Sequence, residues 1–383
     1  MRNVYTLGAV SFLTDVSTEM VFSVLPSYLV QVLGASKTEL GLVEGIAEAS
    51  SNILLMVSGY VSDWIGRRKL LLLVGYGLST LAKPLFALSR NWTDVLLVRF
   101  TDRVGKAVRT APRDSLLSAS VPSDRLGRAF GLHRTLDQSG AVLGPVLATL
   151  LLPVIAYEGL FYLSLLPGLL ALLVLVFLVQ EVATAKSGGT VFGNMREASN
   201  REFLKFLAVV ALFSIGAFNF SFMMIAAGEY GVPEQYLPLV YMLINLVHAA
   251  VAIPAGTISD RVGRERMLAV GYGFLAATNV ILLIPSRGVL TAIAATCAFG
   301  LYAGTVETMQ RAVIPRYAEQ KLRGTAYGMY YLTVGVSYLA ANVVVGLLWD
   351  SIGLSAALTY SLVTSVTACL IMMFITSAGK GSN

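Results

Sequence analysis

Charge is what this sequence has least of. Only 13% of its 383 residues are Asp, Glu, Lys or Arg, against 56% hydrophobic residues, and its mean hydropathy is +0.73. Soluble domains carry roughly a quarter charged residues. The shortfall excludes a soluble enzyme, a disordered regulator and a nucleic-acid binder. Cysteine is nearly absent too: Cys297 and Cys369 stand far apart in apolar runs. They offer neither a disulfide framework nor a metal-ligand spacing, and packing is the role they suggest. There is no Gly-x-x-x-x-Gly-Lys-Ser/Thr phosphate loop, no nucleophile–base constellation and no soluble output domain. An enzyme is therefore not expected, nor is a cofactor. The N-terminus lacks a basic leader and a small-residue cleavage site, and Asp15 and Glu19 interrupt its apolar stretch. It reads as a retained first helix, not a signal peptide.

What the chain has instead is long apolar runs. A helix needs about 20 predominantly apolar residues to cross a bilayer. The runs and their breaks predict twelve spans: 5–31, 38–61, 70–89, 93–112, 128–151, 156–180, 203–227, 234–257, 267–285, 289–312, 324–348 and 352–376. They do not alternate in polarity as barrel strands do, and helices satisfy their own backbone in lipid. The fold class is thus an all-α polytopic membrane protein. With both termini in the cytoplasm, eighteen of the 28 Lys and Arg fall inside and only Lys37, Arg90 and Arg287 outside. This asymmetry follows the positive-inside rule. It implies a multi-pass protein of the cytoplasmic (inner) membrane with both termini cytoplasmic. The net charge of +6 then reports topology and not a nucleic-acid partner.

Residues 181–202 are polar and bear glycine, and they divide the chain into 1–180, a cytoplasmic linker, and 203–383. The two halves resemble each other. Ser62-Asp63-Trp64-Ile65-Gly66-Arg67-Arg68-Lys69 returns as Ser259-Asp260-Arg261-Val262-Gly263-Arg264-Glu265-Arg266, and Ala129-Phe130-Gly131 returns as Ala326-Tyr327-Gly328. Six spans per half make the repeat parallel, which places a binding site near the midplane between the halves.

The Asp-x-x-Gly-Arg-Arg-Lys loop after span 2, its copy after span 8 and the duplication resemble the major facilitator superfamily, over essentially the whole chain. The resemblance implies two six-helix bundles related by a pseudo-two-fold axis along the membrane normal. It also implies a transporter with a small-molecule substrate, surrounded by lipid and monomeric. It assigns Asp63, Gly66, Arg67 and Arg68, with Asp260, Gly263 and Arg264, to a cytoplasmic gate. A carboxylate at a helix N-terminus is stabilised there; the plainer alternative is topological anchoring. Gly140-x-x-x-Gly144-Pro145 in span 5 resembles the superfamily's antiporter motif. Glycines four apart permit close helix contact, and Pro145 favours a kink. Ala148 and Thr149 depart from that motif, and simple helix packing is the alternative. The stretch Asp102-Arg103-x-Gly-Lys106-x-x-Arg109, with Glu44-Gly45-x-x-Glu48 and Asp15-x-x-x-Glu19, resembles a branch of bacterial and archaeal permeases known only generically.

Ionisable residues within a bilayer are costly, so each is a functional hypothesis. Span 4 carries Arg99, Asp102, Arg103, Lys106, Arg109 and Arg113 on one stripe, and span 5 carries His133, Arg134 and Asp137. Near balance of acids and bases in the first half implies pairing in a polar cavity. The resemblance places spans 1, 4, 7 and 10 around that cavity. Asp15 and Glu19 are the favoured proton-coupling acids, with Glu48 and Asp137 as alternatives. Glu44, Arg99, Asp102, Arg103, Lys106 and Arg109 are candidates to line the substrate cavity. From the second half come Asn219, Gln310, and Glu307 with Arg311, one turn apart and able to pair. A static charge network is the plainer reading. No metal is expected, since His133 and His248 lack a tight ligand spacing. Together these residues describe a secondary transporter working by alternating access. The favoured activity is proton-coupled antiport, driven by the proton gradient and exporting a small organic or amphiphilic solute. A divalent-metal exporter, an organic-anion uptake permease and a membrane receptor are the alternatives.

Overall fold

The computed structural model describes residues 2–65, 68–122, 126–181, 200–285, 288–317 and 323–378. The side chains of 56–65, 126–128, 130–131, 311, 315, 323–325 and 376–378 lie outside the described set. Among the described residues there is no strand. The main helices are α1 (Arg2–Phe22), α2 (Lys37–Ile65), α3 (Arg68–Ala82), α4 (Trp92–Ala119), α5 (Leu126–Leu163), α6 (Leu165–Leu178) and α7 (Arg201–Ser214). They continue with α8 (Phe220–Glu229), α9 (Leu237–Val262), α10 (Arg264–Leu283), α11 (Val289–Val313), α12 (Arg323–Ser351) and α13 (Leu354–Ala378).

Among the described residues, eight stretches are long and apolar enough to cross a bilayer. One of them, Leu132–Leu178, has 47 residues. As a straight helix it would run about 70 Å, far beyond a hydrocarbon core of about 30 Å. Ala156, with φ 55° and ψ −176°, breaks it into two spans. Three more expected spans fall outside the eight. The side chains of α2 from residue 56 on lie outside the described residues, the charged stripe interrupts α4, and the seventh span is divided between α7 and α8. Each of the twelve runs expected from the sequence is therefore helical. The seventh is not continuous as expected. Gly216 lies so close to Thr364 that a Cβ there would overlap its hydroxyl, and Asn219 starts α8 afresh by accepting the Ser221 amide at 2.9 Å. Such a cap satisfies an amide that a helix start leaves open. Asn91 and Asn200 cap α4 and α7 in the same way.

The chain divides into two compact units: Met1–Gly34 with Ile46–Val191, and Ala35–Gly45 with Phe192–Asn383. In the first, Val4, Leu7, Leu72, Tyr76, Leu116 and Leu175 form a buried apolar cluster from α1, α3, α4 and α6. Glycine brings its helices to backbone contact: a Cβ on Gly75 would lie 2.7 Å from the Gly105 carbonyl. In the second unit, Gly300 and Gly304 of α11 meet the backbone of α9 at Ile244 and His248, while the Phe213 and Tyr272 rings stack with centroids 3.7 Å apart. Large apolar side chains such as Leu150, Phe177, Leu290 and Phe374 stay exposed. That surface suits lipid.

Candidate functional site

In the first unit the glycine motif sets the site. A Cβ on Gly140 would stand 2.5 Å from the Phe12 carbonyl and 3.0 Å from the Asp15 Cβ, and one on Gly144 would stand 2.8 Å from the Met20 amide. Small residues at both positions let α5 lie directly on α1 beside Asp15 and Glu19. One turn earlier on α5, Asp137 reaches the same place. Its carboxylate accepts from the Ser11 hydroxyl at 2.5 Å and from Arg134 Nη1 at 3.0 Å. It also comes within hydrogen-bonding reach of the Asp15 carboxyl group. Two carboxyl groups can hydrogen-bond only if one holds a proton. Asp15 therefore meets the acid expected as its alternative, while Glu19 lies within electrostatic reach. Pro145 leaves the α5 backbone helical; the break comes at Ala156.

The α4 stripe divides by partner. Asp102 is buried and accepts from the Ser79 hydroxyl of α3 at 2.5 Å. Arg99 places its guanidinium carbon 3.6 Å from the centre of the Phe22 ring, and Arg103 lies 5.2 Å from the same ring. Arg109 lies 4.4 Å from the centre of Tyr76. A cation over an aromatic face is stabilised by the ring quadrupole. Lys106 is exposed, with Glu48 and Glu19 in electrostatic reach. Sequence reasoning missed what Lys83 does: wholly buried, it donates to the Thr18 hydroxyl at 3.0 Å and stands within reach of Asp102. A lysine in an apolar run was the visible signal. The roles of Ser11, Phe22 and Tyr76 had none, since serine and aromatics are ordinary in membrane helices.

The second unit holds the remaining candidates. Glu44 is buried, accepts from the Ser221 hydroxyl at 3.1 Å and belongs to this unit. Glu48, one turn later, belongs to the other. Asn219 is buried as a helix cap, and its amide donates to the Asn342 side chain at 2.9 Å. Glu307 is one turn from Arg311, with which it could pair and whose side chain lies outside the described residues. Glu307 meets His248 of α9, with Nε2 and Oε2 3.2 Å apart, just beyond the Gly304 contact. Gln310 is half-buried on the same helix. His133 and His248 lie in different units, and among the described residues no group of three or more His, Cys, Asp or Glu could hold a metal.

Of the gate residues, Gly66 and Arg67 lie outside the described residues, and only the backbone of Asp63 is described. Arg68 is buried and donates to the Ser115 carbonyl at 3.3 Å. Lys69 donates to the Val176 and Val179 carbonyls at 2.8 and 2.7 Å, closing the end of α6 as a basic C-terminal residue does. In the copy, Gly263 adopts φ +100°, a left-handed backbone favouring glycine. Arg264 meets Asp260 at 3.9 Å and donates to the Ala312 carbonyl at 2.9 Å.

A profile for the Major Facilitator Superfamily matches residues 7–337 and 204–382. The chain belongs to that superfamily. It is 32% identical to an uncharacterized MFS-type transporter of Methanocaldococcus jannaschii, over 98% of this chain and 95% of that protein. It is also 25% identical to the quinolone resistance protein NorA of Staphylococcus aureus, over 49% of this chain and 48% of that one. Its fold matches the crystal structure of the nucleoside transporter NupG with a TM-score of 0.81, covering 98% of this chain and 99% of that chain at 12% identity. This superfamily member is thus a multi-pass membrane transporter of a small molecule, working in a lipid bilayer and not as an enzyme.

Proposed function

We propose that this transporter is a proton-coupled antiporter that exports a small organic or amphiphilic solute by alternating access. It acts as a monomer in the cytoplasmic membrane with both termini inside. The observation that carries the reading is the approach of the Asp15 and Asp137 carboxyl groups to within hydrogen-bonding reach. Two like charges cannot both persist at such a site, so the pair keeps a proton until a conformational change separates the groups or brings a cation nearer. Asp137 retains Ser11 and Arg134 as partners. Asp15, which faces Asp137 across the pair, is the group that gives the proton up. Similarity to the Staphylococcus aureus quinolone resistance protein supports the outward direction.

The test uses liposomes reconstituted with the purified protein and loaded with a fluoroquinolone or a fluorescent amphiphilic dye. An imposed pH gradient accelerates transport in the native protein. In Asp15→Asn the gradient loses its effect while solute exchange without a gradient continues. Transport that ignores the gradient in the native protein overturns the proposal. The buried bases Arg99, Arg103 and Lys83 favour a second reading, uptake of an organic anion. Gradient-driven inward accumulation of such an anion would decide for it.

A further inference from the structure

The first unit holds a group of buried polar atoms that the carboxyl pair leaves unused. Thr14 Oγ1, Tyr76 Oη, Arg109 Nη1 and His133 Nε2 are sealed from solvent and have no hydrogen-bond partner among the described residues. Folded proteins leave few such atoms without a partner. Three of the four share charged neighbours. Arg109 covers the Tyr76 ring at 4.4 Å, and Asp15, Asp137, Arg109 and Arg113 are all within electrostatic reach of the Tyr76 hydroxyl. His133 precedes Asp137 by one turn of α5 and has Arg113, Asp114, Arg134 and Asp137 in reach. Thr14 shares the α1 face of Ser11, which holds Asp137, and Thr18, which holds Lys83.

The group also has a direction. It begins at Asp137, whose side chain is 11% exposed. It ends at the ion pair of Arg113 and Asp114, 2.9 Å apart, with side chains 18% and 44% exposed. Val10, Leu72, Leu116 and Leu117 belong to the same buried apolar cluster as Tyr76. The four atoms differ in what they need. A guanidinium only donates, a hydroxyl donates and accepts, and a neutral imidazole has one nitrogen of each kind. An anion would suit Arg109 and Tyr76 but not the neighbouring carboxyl groups. Water both donates and accepts, and it is the usual partner of such atoms.

We propose that Thr14, Tyr76, Arg109 and His133 hold a row of ordered waters that carries protons between the Asp15–Asp137 pair and the Arg113–Asp114 edge. Each transfer is a relay. The carboxyl group gives its proton to the first water, that water passes one of its own to the next, and the last proton leaves beside Asp114. Nothing in the row is consumed. Arg109, Arg113 and Arg134 add fixed positive charge along the path, which keeps an excess proton from resting on the waters between transfers.

The inference rests on the pair's holding an exchangeable proton, and one experiment separates the two claims. Infrared spectra of the protein in bilayers follow the carbonyl stretch of the protonated carboxyl group, identified by its loss in Asp15→Asn. On transfer to heavy water, the shift of that band gives the exchange rate. Tyr76→Phe and Thr14→Val, each nearly isosteric, slow exchange about tenfold, the effect of losing one hydrogen-bonded link. Thr14→Ser, which keeps the hydroxyl, exchanges at the native rate. The intact band and an unchanged melting temperature show that each variant is folded. A native rate in both Tyr76→Phe and Thr14→Val overturns the row of waters while leaving the pair in place. A native protein without the band overturns the pair and the row together.

Discussion

A lysine with no solvent contact sets a strict local condition. Lys83 is wholly buried, bonded to Thr18 and within reach of Asp102. Removing one member of a buried pair leaves the other charge uncompensated, at about 3–5 kcal/mol. Lys83→Met should therefore lower the melting temperature sharply, and adding Asp102→Asn should restore most of the loss. A double variant no better than the single one would show that the two side chains are not coupled. The same logic explains what a single sequence leaves hidden. That Asp15, Glu19 and Asp137 stand inside apolar spans is plain from their surroundings, and so is the cost of placing them there. Which acid meets which is not plain, because Asp15 and Asp137 come from helices far apart in the chain. Glu307 illustrates the point: the structure brings it to His248 of another helix, a contact that spacing along its own helix does not show.

At the scale of single helices, two backbone features carry most of the consequence. Ala156 holds φ 55°, a conformation costly for any residue with a Cβ. Ala156→Gly should stabilise the protein by about 1 kcal/mol, read as a higher melting temperature in detergent; a lower one would mean that the Ala156 methyl is needed for packing. The second feature is the contact of α5 with α1. The added side chain in Gly144→Leu would begin 2.8 Å from the Met20 amide, so backbone must move. Overpacking of this kind costs typically about 1–3 kcal/mol. Gly144→Leu should lower the melting temperature by more than Gly144→Ala, and equal stability of all three proteins would show that the contact can relax. The helices themselves were legible in the sequence because bilayer thickness dictates their length. The division between α7 and α8 was not, since it depends on Thr364 from a distant part of the chain.

For the whole molecule, the uneven distribution of Lys and Arg predicts its orientation. In a protein whose Cys297 and Cys369 are replaced by serine, Arg90→Cys should react with a membrane-impermeant maleimide applied to intact cells. Lys186→Cys should react only after the cells are opened. The reverse pattern would invert the proposed topology. Repetition within the chain and the loop motif made the superfamily readable from residues alone. The assignment of Ala35–Gly45 to the second unit was not readable, because Glu44 and Glu48 lie on one continuous helix. One feature of both units bears on how such a protein can change over generations. Gly140 and Gly144 in one unit, and Gly300 and Gly304 in the other, each press a helix backbone onto its neighbour. Mutation there is nearly closed off in one direction, toward larger side chains. The lipid-facing positions beside them remain open to any apolar residue. Drift in this lineage should therefore run along the outer faces of the helices, while the four glycines keep the record of ancestry.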